Sequence, residues 1–233
     1  MKDKRFNDDK LREIHRGEKF ICLFSGGKDC GLAVAMALSQ GGILCELIQC
    51  VNELTQEVSW HKQSRNLAIQ QAKCMDVPIK IVDCGPYCNR SKFINILAEY
   101  ANSGIKYVVC GDICYGDQAI LEMAICQRAG LVPKMPLWNR DYNEIIELQK
   151  KHKIKSVVSY VEDEKELDIL GKEYTEEMYK MLKDRNIDPL GEDGEFHTTL
   201  VDAENFKNEL NIRLGNIQKR KDGIRVCINI EGE

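Results

Sequence analysis

The chain has 233 residues, 43% of them hydrophobic and 30% charged, with a formal net charge of −4 at pH 7. That length supports a sizeable core, in one α/β domain or a domain plus a smaller appendage, and no run approaches the ~18 apolar residues of a membrane span. The charge balance gives no global footprint for nucleic acid.

In chain order, Met1 to Lys19 carries charges of both signs and no apolar stretch. It reads as a short exposed helix or frayed arm, neither a secretory signal nor a transit peptide, which suits a cytoplasmic protein. Apolar runs then alternate with helical-period segments. Strands are expected at Lys19–Phe24, Ile43–Val51, Ile79–Asp83, Tyr107–Cys110 and Ser156–Val161. Helices are expected at Gly31–Gln40, Lys62–Met75, Ser91–Asn102, Gln118–Ala129 and Asn143–His152. This alternation argues for βαβ units and a parallel sheet, with ligands in the crevice at the strand C-terminal ends. Beyond Val161 come a charge run (Glu162 to Glu166), a helix at Tyr174–Asn186 and a glycine-rich acidic loop. A terminal hairpin, Asn208–Gln218 and Ile224–Ile230, is joined through Lys219-Arg-Lys-Asp-Gly. The division expected is a nucleotide domain over 1–130 and a smaller α+β substrate domain over 131–233. The hairpin's apolar edge would pack on its own domain or pair with a second copy as a homodimer.

Eleven cysteines are present and none forms a Cys-x-x-Cys pair. Cys22, Cys45, Cys50, Cys110 and Cys227 sit in apolar, strand-like runs as small hydrophobes. Free thiols in a reducing compartment are therefore expected, rather than a disulfide framework. Cys84 with Cys88, and Cys110 with Cys114, have three intervening residues, unlike zinc ribbons or dithiol redox sites. Cys30, Cys84 and Cys110 all fall at strand C-terminal ends, which leaves a sulfur-transfer chemistry open.

Two stretches carry chemistry. Ser25-Gly26-Gly27-Lys28-Asp29-Cys30 lies between a strand and a helix start. Its glycines let backbone N–H groups approach an anion, and the helix adds its positive end. Ser25 supplies a hydroxyl, Lys28 a cation and Asp29 an oxygen suited to magnesium. A bare turn would explain the glycines but not the Ser, Lys and Asp beside them. The Walker A pattern is absent. The stretch resembles the Ser-Gly-Gly-x-Asp-Ser loop of the PP-loop ATP pyrophosphatases, with Cys30 replacing the closing Ser. That resemblance implies a Rossmann-like, HUP-type nucleotide domain, ATP and Mg2+ as cofactors, and adenylation of a substrate.

The second stretch is Gly191-Glu192-Asp193-Gly194-Glu195-Phe196-His197-Thr198. As an exposed acidic turn it would not need Phe196 or His197, one of only four histidines. It is similar to the C-terminal signature of the diphthine-ammonia ligase branch of the same family. The middle of the chain resembles that branch too, through Gly111-Asp112-Ile113, Gly116-Asp117, Glu122, Cys126, Gly130 and Pro136-Leu137-Trp138. It departs at Gln118-Ala119-Ile120, where members carry an Arg and often a Trp.

The resemblance implies a two-step amide synthesis. A carboxylate is adenylated with loss of pyrophosphate, and ammonia then displaces AMP. Ser25, Gly26, Gly27, Lys28, Asp29, Cys30, Gly111 and Asp112 would hold the nucleotide, Asp29 the metal, and residues near Ile48 to Val51 the adenine. Glu192 and Glu195 would bind ammonium while His197 takes its proton. The protein partner would be diphthine-bearing elongation factor 2, or the acceptor another small carboxylate. Competing readings are a thiolation enzyme and a non-catalytic ATP- or AMP-binding regulator of the universal stress type.

Overall fold

The computed structural model describes residues 8–58, 63–85, 89–114, 116–220 and 223–230. The first seven residues of the expected arm, the expected helix start at Lys62, Cys88 of the Cys84–Cys88 pair and the hairpin tip Lys221-Asp222 lie outside the described residues.

The chain runs α1 (Asp8–Arg12), β1 (Lys19–Leu23), α2 (Lys28–Ser39), β2 (Ile43–Val51), α3 (Arg65–Met75), β3 (Ile79–Asp83), α4 (Arg90–Asn102), β4 (Tyr107–Val109), α5 (Asp117–Arg128) and β5 (Val132–Lys134). It continues through α6 (Tyr142–Lys151), β6 (Lys155–Val161), a single 3-10 turn, α7 (Glu176–Asp184), β7 (Phe196–Asp202), β8 (Ile212–Arg220) and β9 (Gly223–Ile230). The first five strands form a parallel sheet in the order β3-β2-β1-β4-β5. Phe20, Ile21 and Cys22 of β1 are all fully buried, as a central parallel strand covered on both faces requires. Phe20 and Cys22 meet Leu32, Val34 and Ala37 of α2 and Ala68 and Ala72 of α3. Ile21, on the other face, joins Phe93 and Leu97 of α4 and Met123 and Cys126 of α5. The strand order reverses between β1 and β4, so the crevice of this doubly wound sheet opens after those two strands.

The α/β class and the parallel sheet agree with the sequence reading; two details differ. Ser156–Val161 is a strand, but it pairs antiparallel with β7 and β9 in a second sheet ordered β7-β6-β9-β8. The fifth parallel strand is instead β5, so a boundary after residue 130 would cut the first sheet from its last strand. Pro133 sits within β5, which is tolerated because β5 is the sheet's edge. At the far edge of the second sheet, Leu214 and Ile217 of β8 are exposed.

A disulfide joins Cys50 and Cys84, whose Cα atoms are 6.1 Å apart at the ends of the neighbouring strands β2 and β3. This corrects the expectation of free thiols throughout. The bridge follows from strand adjacency, which cysteine spacing does not reveal. Among the described residues, no helix is long and apolar enough to cross a membrane.

Candidate active site

Helices α3, α4, α6 and α7 are capped by Ser64, Asn89, Asp141 and Thr175, whose side chains accept a first-turn N–H. The two helices starting at the crevice differ. Both α2 and α5 begin after a glycine, Gly27 and Gly116, with no capping side chain of its own. That leaves their first-turn N–H groups for partners from elsewhere.

At α2 the partner is β7. Thr198 Oγ accepts the Lys28 N–H at 3.1 Å, and the Leu200 N–H donates to the Gly26 carbonyl at 2.9 Å. Gln71 of α3 ties both sides together, its amide donating to Gly26 O at 2.9 Å and to Leu200 O at 2.7 Å. Gly26 has φ +84°, and a Cβ there would overlap the Gln63 amide. Glycine is required on both counts. A Cβ at Gly31 would meet Leu200 at 2.5 Å, and one at Gly111, after β4, would meet the Cys30 nitrogen at 2.8 Å. The glycines of Gly111-Asp112 and of the helix start thus serve close backbone approach.

Ser25 and Cys30 turn towards each other, Ser25 Oγ donating to Cys30 Sγ at 3.1 Å and accepting the Gly27 N–H at 3.3 Å. Burial pushes the Cys30 thiol up to about 12, so it stays protonated. The Lys28 ammonium is buried rather than open to the crevice. It donates to Leu190 O and Asp29 Oδ2, both at 2.6 Å, and lies 5.4 and 5.7 Å from the stacked rings of Tyr174 and Phe196. Burial raises the Asp29 carboxyl against the opposing pull of Lys28, and its Oδ1 is buried with no hydrogen-bond partner.

The acidic loop folds back over this pair. Glu192 is exposed as a residue, but its carboxylate reaches into the crevice and accepts the Cys114 thiol at 3.8 Å. Desolvation, then repulsion from Asp29, raise it to about 7. Glu195 Oε1 accepts the Asp188 N–H at 3.1 Å, and its Oε2 is buried and unpartnered. His197 parts from the other two. Strand alternation sends it to the face opposite Thr198, where it stacks on Tyr160 with centroids 5.0 Å apart. Along β2, Ile48 O accepts the Phe24 N–H and Val51 O the Cys84 N–H, so those main-chain acceptors, expected at the adenine, are spent on structure.

Two members escape the sequence reading. Asp188 accepts from Tyr142 at 3.1 Å and from Leu190 N at 2.8 Å, and its charge bears on Asp29 and Glu192. Cys114 lines the mouth of the crevice, its thiol raised to about 11 by burial and Glu192. No local pattern marks either residue.

The donors suit a phosphate and a magnesium ion. The Gly27 and Lys28 N–H groups rest on neutral hydroxyls that an anion can displace, and the orphaned Asp29 oxygen is the hard ligand magnesium prefers.

Residues 139–232 match the family model for the diphthamide synthase C-terminal domain. The match spans α6 and β6 to β9 and includes Thr198 and Leu200, the β7 residues that hydrogen-bond the Ser25–Cys30 loop. No curated protein matches the chain. Among solved structures, the U34-tRNA thiolase NcsA from Methanococcus maripaludis with its 4Fe-4S cluster is similar at 13% identity and a TM-score of 0.38. The alignment covers 60% of this chain and 59% of that one.

Proposed function

We propose that this chain is an ATP-dependent enzyme of the PP-loop pyrophosphatase type that adenylates a substrate carboxylate and then forms an amide with ammonia. The observation that carries the reading is the seating of β7, from the segment matching the diphthamide synthase domain, on the Ser25–Cys30 loop through Thr198 and Leu200. Loop and C-terminal segment form one site.

In this reading the substrate carboxylate attacks the α-phosphorus of ATP and pyrophosphate leaves. Ser25 and the N–H groups of Gly27 and Lys28 bind the phosphates. A magnesium ion held by Asp29 would supply further charge neutralisation for the leaving group. Lys28 acts indirectly, holding Asp29 in place. Ammonia then attacks the acyl carbon and AMP leaves. Glu192 takes the proton, since its carboxyl titrates near neutrality and faces the crevice; the role first expected of His197 passes to it. The first acceptor to test is diphthine-bearing elongation factor 2, followed by small carboxylates.

Cys114 favours a second reading in which sulfide, in place of ammonia, attacks the acyl carbon with loss of AMP, giving a thiocarboxylate product. Pyrophosphate and AMP release from Mg-ATP, measured with acceptor plus ammonium and with acceptor plus sulfide, tests both. Ammonium-dependent amide formation that survives Cys114→Ser supports the ligase. Sulfide-dependent product lost in Cys114→Ser supports thiolation. Nucleotide binding without pyrophosphate release under either condition overturns both.

A further inference from the structure

The geometry points to a zinc-class divalent metal site formed by Cys110, Asp112 and Glu122, where the end of β4 meets α5. One ligand atom from each of the three lies within 4.8 Å of the others. They come from two rigid elements. Cys110 directly follows β4, its N–H fixed on Lys134 O at 2.9 Å, and Asp112 is two residues on. Glu122 is in the second turn of α5.

The donors are mixed. Cys110 is fully buried, and Asp112 and Glu122 are partly buried. One sulfur with two carboxylate oxygens favours a borderline-soft ion such as Zn2+ over Mg2+ or Ca2+, which take oxygen alone. A second thiol adjoins them. Cys126, one turn beyond Glu122 on the same face of α5, is fully buried and hydrogen-bonded to Cys110. It stands as an orienting partner for the Cys110 thiolate. Gln118 donates to Glu122 Oε1 at 2.9 Å, the outer contact that fixes a carboxylate ligand.

Among the described residues, no salt bridge reaches Asp112 or Glu122; each instead hydrogen-bonds the other. A divalent ion would sit between these two carboxylates and the Cys110 sulfur. It would also fix the second turn of α5, one of the two crevice helices without a capping side chain, to the end of β4. This inference is independent of the proposed reaction.

The test uses the full chain, reduced and stripped with a chelator, titrated with Co2+ and then Zn2+. One equivalent of Co2+ is expected to give a thiolate-to-cobalt charge-transfer band that Zn2+ abolishes. Cys110→Ser should lose the band, and Glu122→Gln should weaken metal binding by at least the roughly 10- to 100-fold that loss of an outer-shell partner costs. Cys114→Ser and Cys45→Ser should keep both band and affinity. A band that persists in Cys110→Ser, disappears in Cys114→Ser or never forms in the folded chain overturns the site. Should Cys110→Ser not fold, Glu122→Gln and Asp112→Asn decide: unchanged affinity in both overturns it.

Discussion

In the crevice, Asp29 and Glu192 crowd around one buried ammonium, Lys28; on the outer face of α6 and α7, Glu176 faces two, Lys150, which it shares with Glu147, and Lys180. Glu192 is driven up to about 7 by lost water and like charge, whereas its two lysines pull Glu176 down to about 2. The surface arrangement balances its charges where it stands. The crevice leaves carboxylate charge uncompensated and a buried oxygen of Asp29 unpartnered, which favours an incoming cation and costs the fold something to maintain.

The largest break in this comparison comes from Gly26→Ala. The left-handed φ costs about 1–3 kcal/mol, and the new Cβ would displace the Gln63 amide, which donates to Gln71 Oε1 at 2.7 Å. Pyrophosphate release should fall by on the order of 10²-fold, as for other small misplacements of a reacting group, with a clearly lower melting temperature. Wild-type turnover in Gly26→Ala would mean that the loop conformation is not needed.

Next is Glu192→Gln. The folded carboxyl titrates at about 7 against 4.5 for the ordinary group, so the folded state holds the proton more tightly. Stability associated with that proton is fully present below about 4.5 and is lost as pH rises towards 7. Solvent at this exposed residue moderates the slope. Melting temperature against pH should decline less across that window in Glu192→Gln than in wild type; parallel curves would remove Glu192 as the source.

The smallest effect is expected of Glu176→Gln. Its sign is opposite: the depressed carboxyl contributes stability above about 4.5 that is lost as pH falls through about 2. The pairs are at the surface and screened by salt, so the change in melting temperature should be small and smaller still at high ionic strength. A large, salt-insensitive loss would show that this face is not a mere surface network.

Much of the first sheet was legible because its signals are local. Phe20 to Phe24 is a buried apolar run, Gly26-Gly27 marks the turn, and α2 follows at helical period. β5 was hidden by its three-residue length and by Pro133, which only an edge position excuses. β7 was hidden because Phe196, Thr198, Thr199, Leu200 and Val201 are all buried, so no clean alternation of apolar and polar residues marks it. The acidic loop was found by composition. The parting of His197 from Glu192 depends on strand register against β6, which no spacing announces. The Cys50–Cys84 bridge and the Cys110–Asp112–Glu122 group likewise join positions on different elements.

Lys28 and Thr198 are separated by 170 positions, and this gives the site a history as well as a shape. During synthesis, β1 to β4 leave the ribosome long before the strand that covers their loop, and domains tend to fold from the N-terminal side as they emerge. Until β7 follows, the Lys28 N–H, its ammonium and the Gln71 amide lack the Thr198, Leu190 and Leu200 acceptors of the finished fold. The nascent chain can build its sheet early, but its Ser25–Cys30 loop is completed only by residues translated some 170 positions later.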